Sequence, residues 1–265
     1  MANWSLSDIP WHMFDASKVQ PELVALAKVS CMVEHNGHEY ARYLCDVFSD
    51  NAALHATIEN WAAEEVQHGM VLRKWAELAD PAFDFDKSFS LFTTGYQLPN
   101  VATSVRGSRC GELVARCVVE TGTSNYYTAI KDYTDEPVLK TICAKIAADE
   151  FRHYKLFYDL LKEYQAKDKI GFWKRLSIAV GRVVESEDDE LSYAFFAANG
   201  GSATQAYDRK TCARRYFHCV KNIYHKHHIE NMIAMIFKAV GLKPRTWLHR
   251  ASSVLAWNVM QLRMG

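Results

Sequence analysis

The strongest constraint on the fold is a helical spacing of apolar residues that two short turns interrupt. Apolar side chains recur every three or four residues through most of the N-terminal part, and strand-like alternation is scarce. Residues 49–51 (SDN) and 134–137 (TDEP) supply turns that can also begin a new helix. Helices are therefore expected over 19–48, 52–79, 109–133 and 137–166. The pattern predicts an all-α four-helix bundle of two long hairpins, with a long central crossover over 80–107.

Further helical segments are expected after Lys167. They cover 169–185, 203–240 and 247–262. We therefore expect two parts in this chain. Residues 1–166 would form the four-helix bundle with an N-terminal arm, and residues 167–265 would form a helical C-terminal extension packed on the bundle.

Each predicted hairpin contains one Glu-x-x-His motif, in the stretches WAAEEVQHGM and AADEFRHYKL. The motifs are Glu65–His68 and Glu150–His153. A spacing of three residues places a glutamate and a histidine one turn apart on the same helix face. In helical bundles, two such motifs and one further glutamate from each of the other two helices can hold a pair of metal ions.

The partner glutamates are identified by their separation from the turns along the sequence. Glu34 precedes the turn at Asp50 by nearly the same number of positions by which Glu65 follows it. Glu120 and Glu150 are equally far from the turn at Asp135, on either side. Antiparallel helices would bring these four glutamates to one level. The alternative Glu39 is nearer to its turn, and at 1.5 Å per residue it would lie about 6 Å too close to the bundle end.

These six residues are the predicted metal ligands. They are Glu34, Glu65, His68, Glu120, Glu150 and His153. The glutamates of the two motifs would be the bridging ligands, and the histidines the terminal nitrogen ligands. Carboxylate-rich ligation with one histidine per ion favours two iron ions, with manganese at one site as the second choice. The alternative is a buried ion-pair network without metal, which would be costly for four carboxylates and two imidazoles.

The motifs resemble those of a known di-iron family. EEVQHG and IAADEFRH are similar to the EENRHG and IAADEKRH segments of the soluble acyl-(acyl carrier protein) desaturases, which have a ferritin-like bundle. The similarity covers roughly residues 19–166. It departs from the family at Gln67, which replaces an arginine of the motif, and segment 80–118 shows little similarity. The known plant enzymes are also longer, and their first hairpin has several more residues between the ligands.

The resemblance implies roles for two further residues. Thr123 matches a threonine three residues after the third-helix glutamate, beside the oxygen-binding face of the metals. Its alternative is a helix threonine that bonds back to a carbonyl. Asp149 matches an acid that hydrogen-bonds a metal-bound histidine and assists electron transfer, and Glu64 stands in the equivalent place on the other hairpin.

The implied function is that of an oxygen-activating di-iron oxidoreductase. Its substrate would be an unactivated C–H bond of an acyl chain on a carrier protein, and the product a desaturated or hydroxylated chain. An external ferredoxin or reductase would supply electrons, because the sequence has no flavin or iron–sulfur motif of its own. The alternative is a ferritin-like ferroxidase, peroxide-scavenging or iron-binding protein.

Charge is distributed unevenly along the chain. The net charge is zero, but residues 200–265 contain eleven Lys and Arg against two acids, a net charge of +9. This basic C-terminal region suits acyl carrier protein or another acidic partner. A nucleic-acid partner is not expected, and a homodimer is an alternative. Peripheral membrane contact through the Trp-containing segments 170–184 and 245–260 ranks below packing on the bundle or on a second subunit.

Two remaining features of the sequence are a pair of histidines near residue 225 and the pattern of cysteines, which bears on the cellular compartment. His225 and His228 share a helix face without an obvious further ligand, so we expect a surface cluster. The seven cysteines form no C-x-x-C pair and lie mostly among apolar residues, which suits reduced thiols. No secretory signal pattern is seen, so the expected location is the cytoplasm.

Overall fold

A computed structural model describes residues 4–185 and 189–264. Its helices are α1 (Pro21–His35), α2 (Gly37–Val47), α3 (Ala52–Ala79), α4 (Phe85–Gly95), α5 (Arg109–Tyr133), α6 (Pro137–Lys167), α7 (Phe172–Glu185), α8 (Asp189–Ala198), α9 (Arg209–Val220), α10 (Lys226–Val240) and α11 (Trp247–Met264). Three short 3-10 turns precede α1, at Leu6–Asp8, Trp11–Met13 and Ala16–Lys18. No strand occurs in the described ranges. The prediction of an all-α fold is confirmed.

The chain divides into two compact units, and the first comprises Met1–Ala102, Thr134–Ile142 and Glu187–Val220. In this unit α1 and α2 pack along α3, while α8 and α9 pack against α1. The fully buried side chains Leu26, Leu72 and Trp75 belong to the core of this unit. Burial of such large apolar residues supplies most of the free energy that holds helices together.

The first predicted helix is interrupted in the structure. Residues 19–48 were expected to be continuous, but α1 ends at His35 and α2 begins at Gly37. Asn36 lies between them with φ −79° and ψ 8°, outside helical geometry. Asparagine and glycine are poor helix formers, and two in succession favour a break. The interruption comes two residues after Glu34.

Glu136 fixes the beginning of α6 within the first unit. This fully buried carboxylate accepts hydrogen bonds at Oε1 from the backbone N–H groups of Asp15 and Val138, both at 3.2 Å. Its Oε2 accepts from Trp75 Nε1 and from the backbone N–H of Leu139, both at 2.7 Å. Four donors offset the cost of burying the charge. The carboxylate therefore caps α6 and joins it to α3 and the N-terminal arm.

The second unit comprises Thr103–Tyr133, Cys143–Ser186 and Lys221–Gly265. Helix α5 and the larger part of α6 lie side by side, and Ser124 Oγ donates to the Ala147 carbonyl at 3.2 Å. Helix α10 packs on α5, and Tyr154 Oη donates to the Met235 carbonyl at 2.8 Å. Helix α7 packs on α5 and α10, and α11 packs on α10.

Two connections differ from the sequence expectation. The predicted crossover 80–107 contains helix α4, which Asp84 caps by accepting a hydrogen bond from the Lys87 backbone N–H at 3.0 Å. The single helix predicted over 203–240 is two helices, α9 and α10, separated by residues 221–225. His225 caps α10, where its backbone N–H donates to His228 Nδ1 at 3.0 Å. Side-chain capping thus offers the backbone an alternative to a continuous helix.

Within the described ranges, no helix combines the length and the apolar character needed to cross a bilayer.

Candidate metal centre

The first unit contains a buried group of two glutamates and one histidine. Glu34 comes from α1, and Glu65 and His68 come from successive turns of α3. His68 Nδ1 lies 3.8 Å from Glu34 Oε2 and 3.6 Å from Glu65 Oε2. All three side chains are at least nine-tenths buried, and their ligand atoms lie within 4.8 Å of one another. We call this group the first trio.

The second unit contains a matching group. Glu120 comes from α5, and Glu150 and His153 come from successive turns of α6. His153 Nδ1 lies 3.8 Å from both Glu120 Oε2 and Glu150 Oε1. These side chains are also at least nine-tenths buried, with ligand atoms within 4.8 Å of one another. We call this group the second trio. Each unit thus brings together the three ligands that the sequence predicts for one hairpin.

The distances within each trio fit a bound cation. Separations of 3.6–3.8 Å between the imidazole nitrogen and the carboxylate oxygens exceed those of ordinary hydrogen bonds. Two atoms bound to one ion at about 2.1 Å each are about 3.0–4.2 Å apart. Two carboxylates buried beside each other are unfavourable unless a positive charge offsets them. Oxygen-rich donors with one imidazole suit iron or manganese.

The first trio depends on a close approach of α1 to α3. A Cβ atom at Gly69, the residue after His68, would lie 2.6 Å from the His35 nitrogen and 2.9 Å from the Cys31 carbonyl oxygen. Only glycine lets the two backbones come this near. Glu34 is therefore held next to His68. The alternative Glu39 is exposed on α2 and accepts a hydrogen bond from Arg42 Nε at 3.0 Å.

Thr123 contacts a predicted ligand of the second trio. Its Oγ1 lies 2.5 Å from Glu150 Oε2 and 3.3 Å from the carbonyls of Val119 and Glu120. The carboxylate is the nearest of the three acceptors and carries the most negative charge. Donation to Glu150 therefore fits better than the back-bond to a carbonyl. Its role beside bound oxygen stays a prediction.

Asp149 lies in the second unit and is almost fully buried. Its Oδ1 accepts a hydrogen bond from Arg152 Nη1, one turn along α6. The spacing of three residues on one helix permits this ion pair, and it was the signal in the sequence that could have indicated it. The proposed bond from Asp149 to a histidine stays a prediction. Glu64, the equivalent residue of the other hairpin, is half-buried on α3.

Two further side chains, Trp4 and Arg116, lie beside ligands of the trios, and nothing in the sequence indicated the first of them. Trp4 stacks over His68 with ring centroids 6.0 Å apart, and Gln67 Nε2 donates to the Trp4 carbonyl at 3.0 Å. Gln67 is the position that departs from the desaturase motif. In the second unit, Arg116 Nη2 lies 3.7 Å from Glu120 Oε1. The i, i+4 spacing was the available signal for this last contact.

A third group of candidate ligands is Asp132, His227 and His228. His228 was expected on the surface, but it is fully buried, so that prediction was wrong. Its Nδ1 accepts from a backbone N–H, so the neutral ring carries its proton on Nε2 and donates to Asp132 Oδ2 at 3.1 Å. A metal at Nε2 would require a proton on Nδ1, facing that N–H. The group is therefore a hydrogen-bonded Asp–His pair.

Two buried cysteines belong to the ligand helices without joining either trio. Burial raises the pKa of the Cys31 thiol in α1 and of the Cys117 thiol in α5. Both groups therefore stay protonated and neutral at physiological pH. The ligand sets of the described residues contain only carboxylates and imidazoles.

Comparison with known proteins identifies the family. The fatty acid desaturase family model matches residues 40–173, about half of the chain. The matched region includes five of the six predicted ligands, and Glu34 precedes it. No curated protein matches the chain significantly. Because the family model matches this much of the chain, the protein belongs to the fatty acid desaturase family.

Proposed function

We propose that this protein is a di-iron, oxygen-dependent oxidoreductase that removes hydrogen from an unactivated C–H bond of an acyl chain on a carrier protein. The observation that carries the proposal is the pair of buried Glu/Glu/His trios in a member of the fatty acid desaturase family. Family membership supports the acyl substrate. The chemistry of the donor set supports iron.

The two trios would hold two iron ions, with one histidine for each ion. The two carboxylates of each trio offset the positive charge of one ferrous ion, so each site would be close to neutral. Manganese at one site is the alternative metal composition. When bound, the iron ions supply the electrons with which dioxygen becomes able to take hydrogen from a C–H bond.

The side chains around the trios orient the ligands and exclude water. The Thr123 hydroxyl donates to Glu150 and thereby fixes the orientation of that carboxylate. Arg116 places a positive charge beside Glu120 and helps to hold that carboxylate in position. Because all six ligand side chains are at least nine-tenths buried, the reaction would occur away from bulk solvent.

The carrier protein would dock on basic residues of the C-terminal region. Helix α9 of the first unit exposes Arg209, Lys210 and Arg214, and its sequence contains no acid. Such a charged face suits the acidic surface of acyl carrier protein, and it would speed the encounter. Electrons would come from an external ferredoxin and its reductase.

The test is oxygen consumption by the iron-loaded protein with acyl carrier protein, ferredoxin, reductase and NADPH. Acyl chains of several lengths are offered, and the products are weighed by mass spectrometry. The proposal predicts oxygen uptake that depends on the acyl chain, and a product that has lost two hydrogens or gained one oxygen. Uptake that depends on iron but not on any acyl chain would instead show a ferroxidase. Absence of uptake in every mixture contradicts both functions.

A further inference from the structure

Helix α11 carries several of its large apolar side chains on the outside of the second unit. Trp247, Leu255 and Leu262 are 79%, 65% and 82% exposed. Val254 and Val259 are exposed on the same helix. Apart from the adjacent pair Val254 and Leu255, these positions follow one another at three-, four- and seven-residue spacings. They therefore form a continuous apolar face along the helix.

The most buried side chains of α11, among the described residues, are polar. His249 and Ser253 are buried, and His249 Nε2 lies 3.0 Å from the Glu230 carbonyl. Ser253 Oγ donates to the His249 carbonyl at 2.8 Å. A surface helix normally places its apolar residues inward and its polar residues outward. Helix α11 departs from this arrangement, because it buries polar residues and exposes large apolar ones, while Trp257 and Met260 are half-buried. Such exposed apolar surface is typical of a helix that another apolar phase covers.

Helix α7 of the same unit adds a second exposed apolar surface. Trp173 is 77% exposed, and three exposed valines follow it, Val180, Val183 and Val184. Near the start of α7, Arg175 Nε donates to the Val240 carbonyl at 3.0 Å, at the end of α10. Helix α11 also packs on α10. Both exposed apolar surfaces therefore belong to helices that pack on α10.

Basic residues outnumber acids in these two helices. The sequence of α11 contains no Asp or Glu. The single acid of α7, Glu185, is held by Arg106 through two contacts of 2.6 Å. Exposed basic residues occur in both helices and in the segment before α11, and they are Lys174, Lys243, Arg245 and Arg250. The charged residues of α11 and of the segment before it are therefore all basic, whereas acids precede and follow α7 in the sequence, at Asp168 and in residues 187–190.

We propose that α7 and α11 dock this protein on the surface of an anionic lipid bilayer. Helices of this kind lie in the plane of the interface, with apolar side chains among the acyl chains and basic residues at the headgroups. Tryptophan rings also favour the membrane–water interface, at the level of the lipid headgroups. A second copy of the chain is a poorer occupant, because two copies facing each other would oppose positive charges. Acyl carrier protein is better matched by the charged, polar face of α9.

The experiment measures binding of the full chain to vesicles by sedimentation. Vesicles of phosphatidylcholine with phosphatidylglycerol are compared with vesicles of phosphatidylcholine alone. We expect tighter binding to the anionic vesicles. The double variant Val254→Ser/Leu255→Ser should lower the partition coefficient at least about tenfold, since two aliphatic side chains no longer enter the bilayer. The variant Lys174→Gln/Lys243→Gln should weaken binding and reduce its dependence on salt.

Two control variants make the same kinds of substitution at positions outside α7 and α11. Val101→Ser/Val105→Ser replaces two other exposed valines. Lys155→Gln/Lys162→Gln removes two lysines that pair with Asp159 on α6. Neither control should change vesicle binding by more than about twofold. Helical circular dichroism verifies that each variant is folded.

Three results would overturn the proposal. The first is no binding to anionic vesicles by a folded protein. The second is a self-associated state, seen by analytical ultracentrifugation, that Val254→Ser/Leu255→Ser dissociates, which would assign the face to a second copy. The third is vesicle binding that the serine variant leaves unchanged, which would show charge attraction alone. Vesicle binding requires neither iron nor substrate, so its failure is distinguishable from a failure of the proposed oxidation.

Discussion

Replacement of Glu150 by alanine is expected to lower acyl-dependent oxygen consumption at least about 100-fold. Glu150 Oε1 lies 3.8 Å from His153 Nδ1, and Glu150 Oε2 accepts a hydrogen bond from Thr123. The substitution therefore removes a predicted metal ligand and the hydrogen-bond acceptor of Thr123. Loss of an outer partner alone typically costs 10–100-fold in metal affinity or activity, and loss of a ligand costs at least as much. The assay is oxygen uptake with acyl carrier protein and ferredoxin.

Controls from the same helices separate this effect from general disturbance. Glu163→Ala, on α6, removes a glutamate that pairs only locally with Lys167, and it should retain wild-type activity. Thr123→Val should lower activity about tenfold, because Glu150 loses its orienting donor. Thr128→Val, on α5, removes only a bond to the Ser124 carbonyl and should have little effect. Equal activities for Glu150→Ala and Glu163→Ala would contradict the assignment of Glu150.

Replacement of Gly69 by alanine is expected to destabilise the protein by about 3 kcal/mol. The added Cβ would lie 2.6 Å and 2.8 Å from the His35 nitrogen and Cα. These are backbone atoms, so α1 itself must move away from α3. The thermal midpoint should fall by roughly 6–12 °C in a chain of this size. Circular dichroism during heating provides the measurement.

Gly181→Ala in α7 is the matched control for this prediction. A Cβ at Gly181 meets nothing within 4 Å, so alanine there should stabilise the helix by up to about 1 kcal/mol through its greater helix propensity. The displacement of α1 in Gly69→Ala should also weaken metal binding, because Glu34 would move away from His68. A Gly69→Ala protein as stable as Gly181→Ala would show that α1 and α3 are not closely packed.

The regular helices were predictable because their apolar spacing and turns are local features. The expected range 109–133 coincides with α5, and the start expected at residue 52 is the start of α3. The ligand motifs were predictable for a related reason. A spacing of three residues fixes the side of a helix on which a glutamate and a histidine lie, whatever the rest of the chain does.

The remaining features depend on contacts between distant residues. The Ser, Thr, Gly and Pro content of the crossover segment predicts a loop, but the Asp84 cap and the phenylalanines at 85, 89 and 92 favour helix α4. The stacking of Trp4 on His68 joins the N-terminal arm to the middle of α3, and no local pattern predicts it. The outward apolar face of α11 also escaped prediction, because periodicity shows that a helix has two faces without showing which one is covered.

The domain boundary predicted near residue 166 stays a prediction. The two compact units each take several separate stretches of the chain, and α6 begins in the first unit and continues in the second. A long helix can contribute to more than one cluster of contacts, which a linear division by sequence pattern does not capture.

The central claim is that the two trios bind iron, and the most direct test is the metal content of the isolated protein. Elemental analysis would compare the wild-type chain with the double variant Glu65→Ala/Glu150→Ala, which removes one predicted ligand from each trio. The account predicts about two iron atoms per wild-type chain, and loss of both in the variant. Little or no metal in the wild-type protein, even after anaerobic loading with ferrous iron, would contradict it.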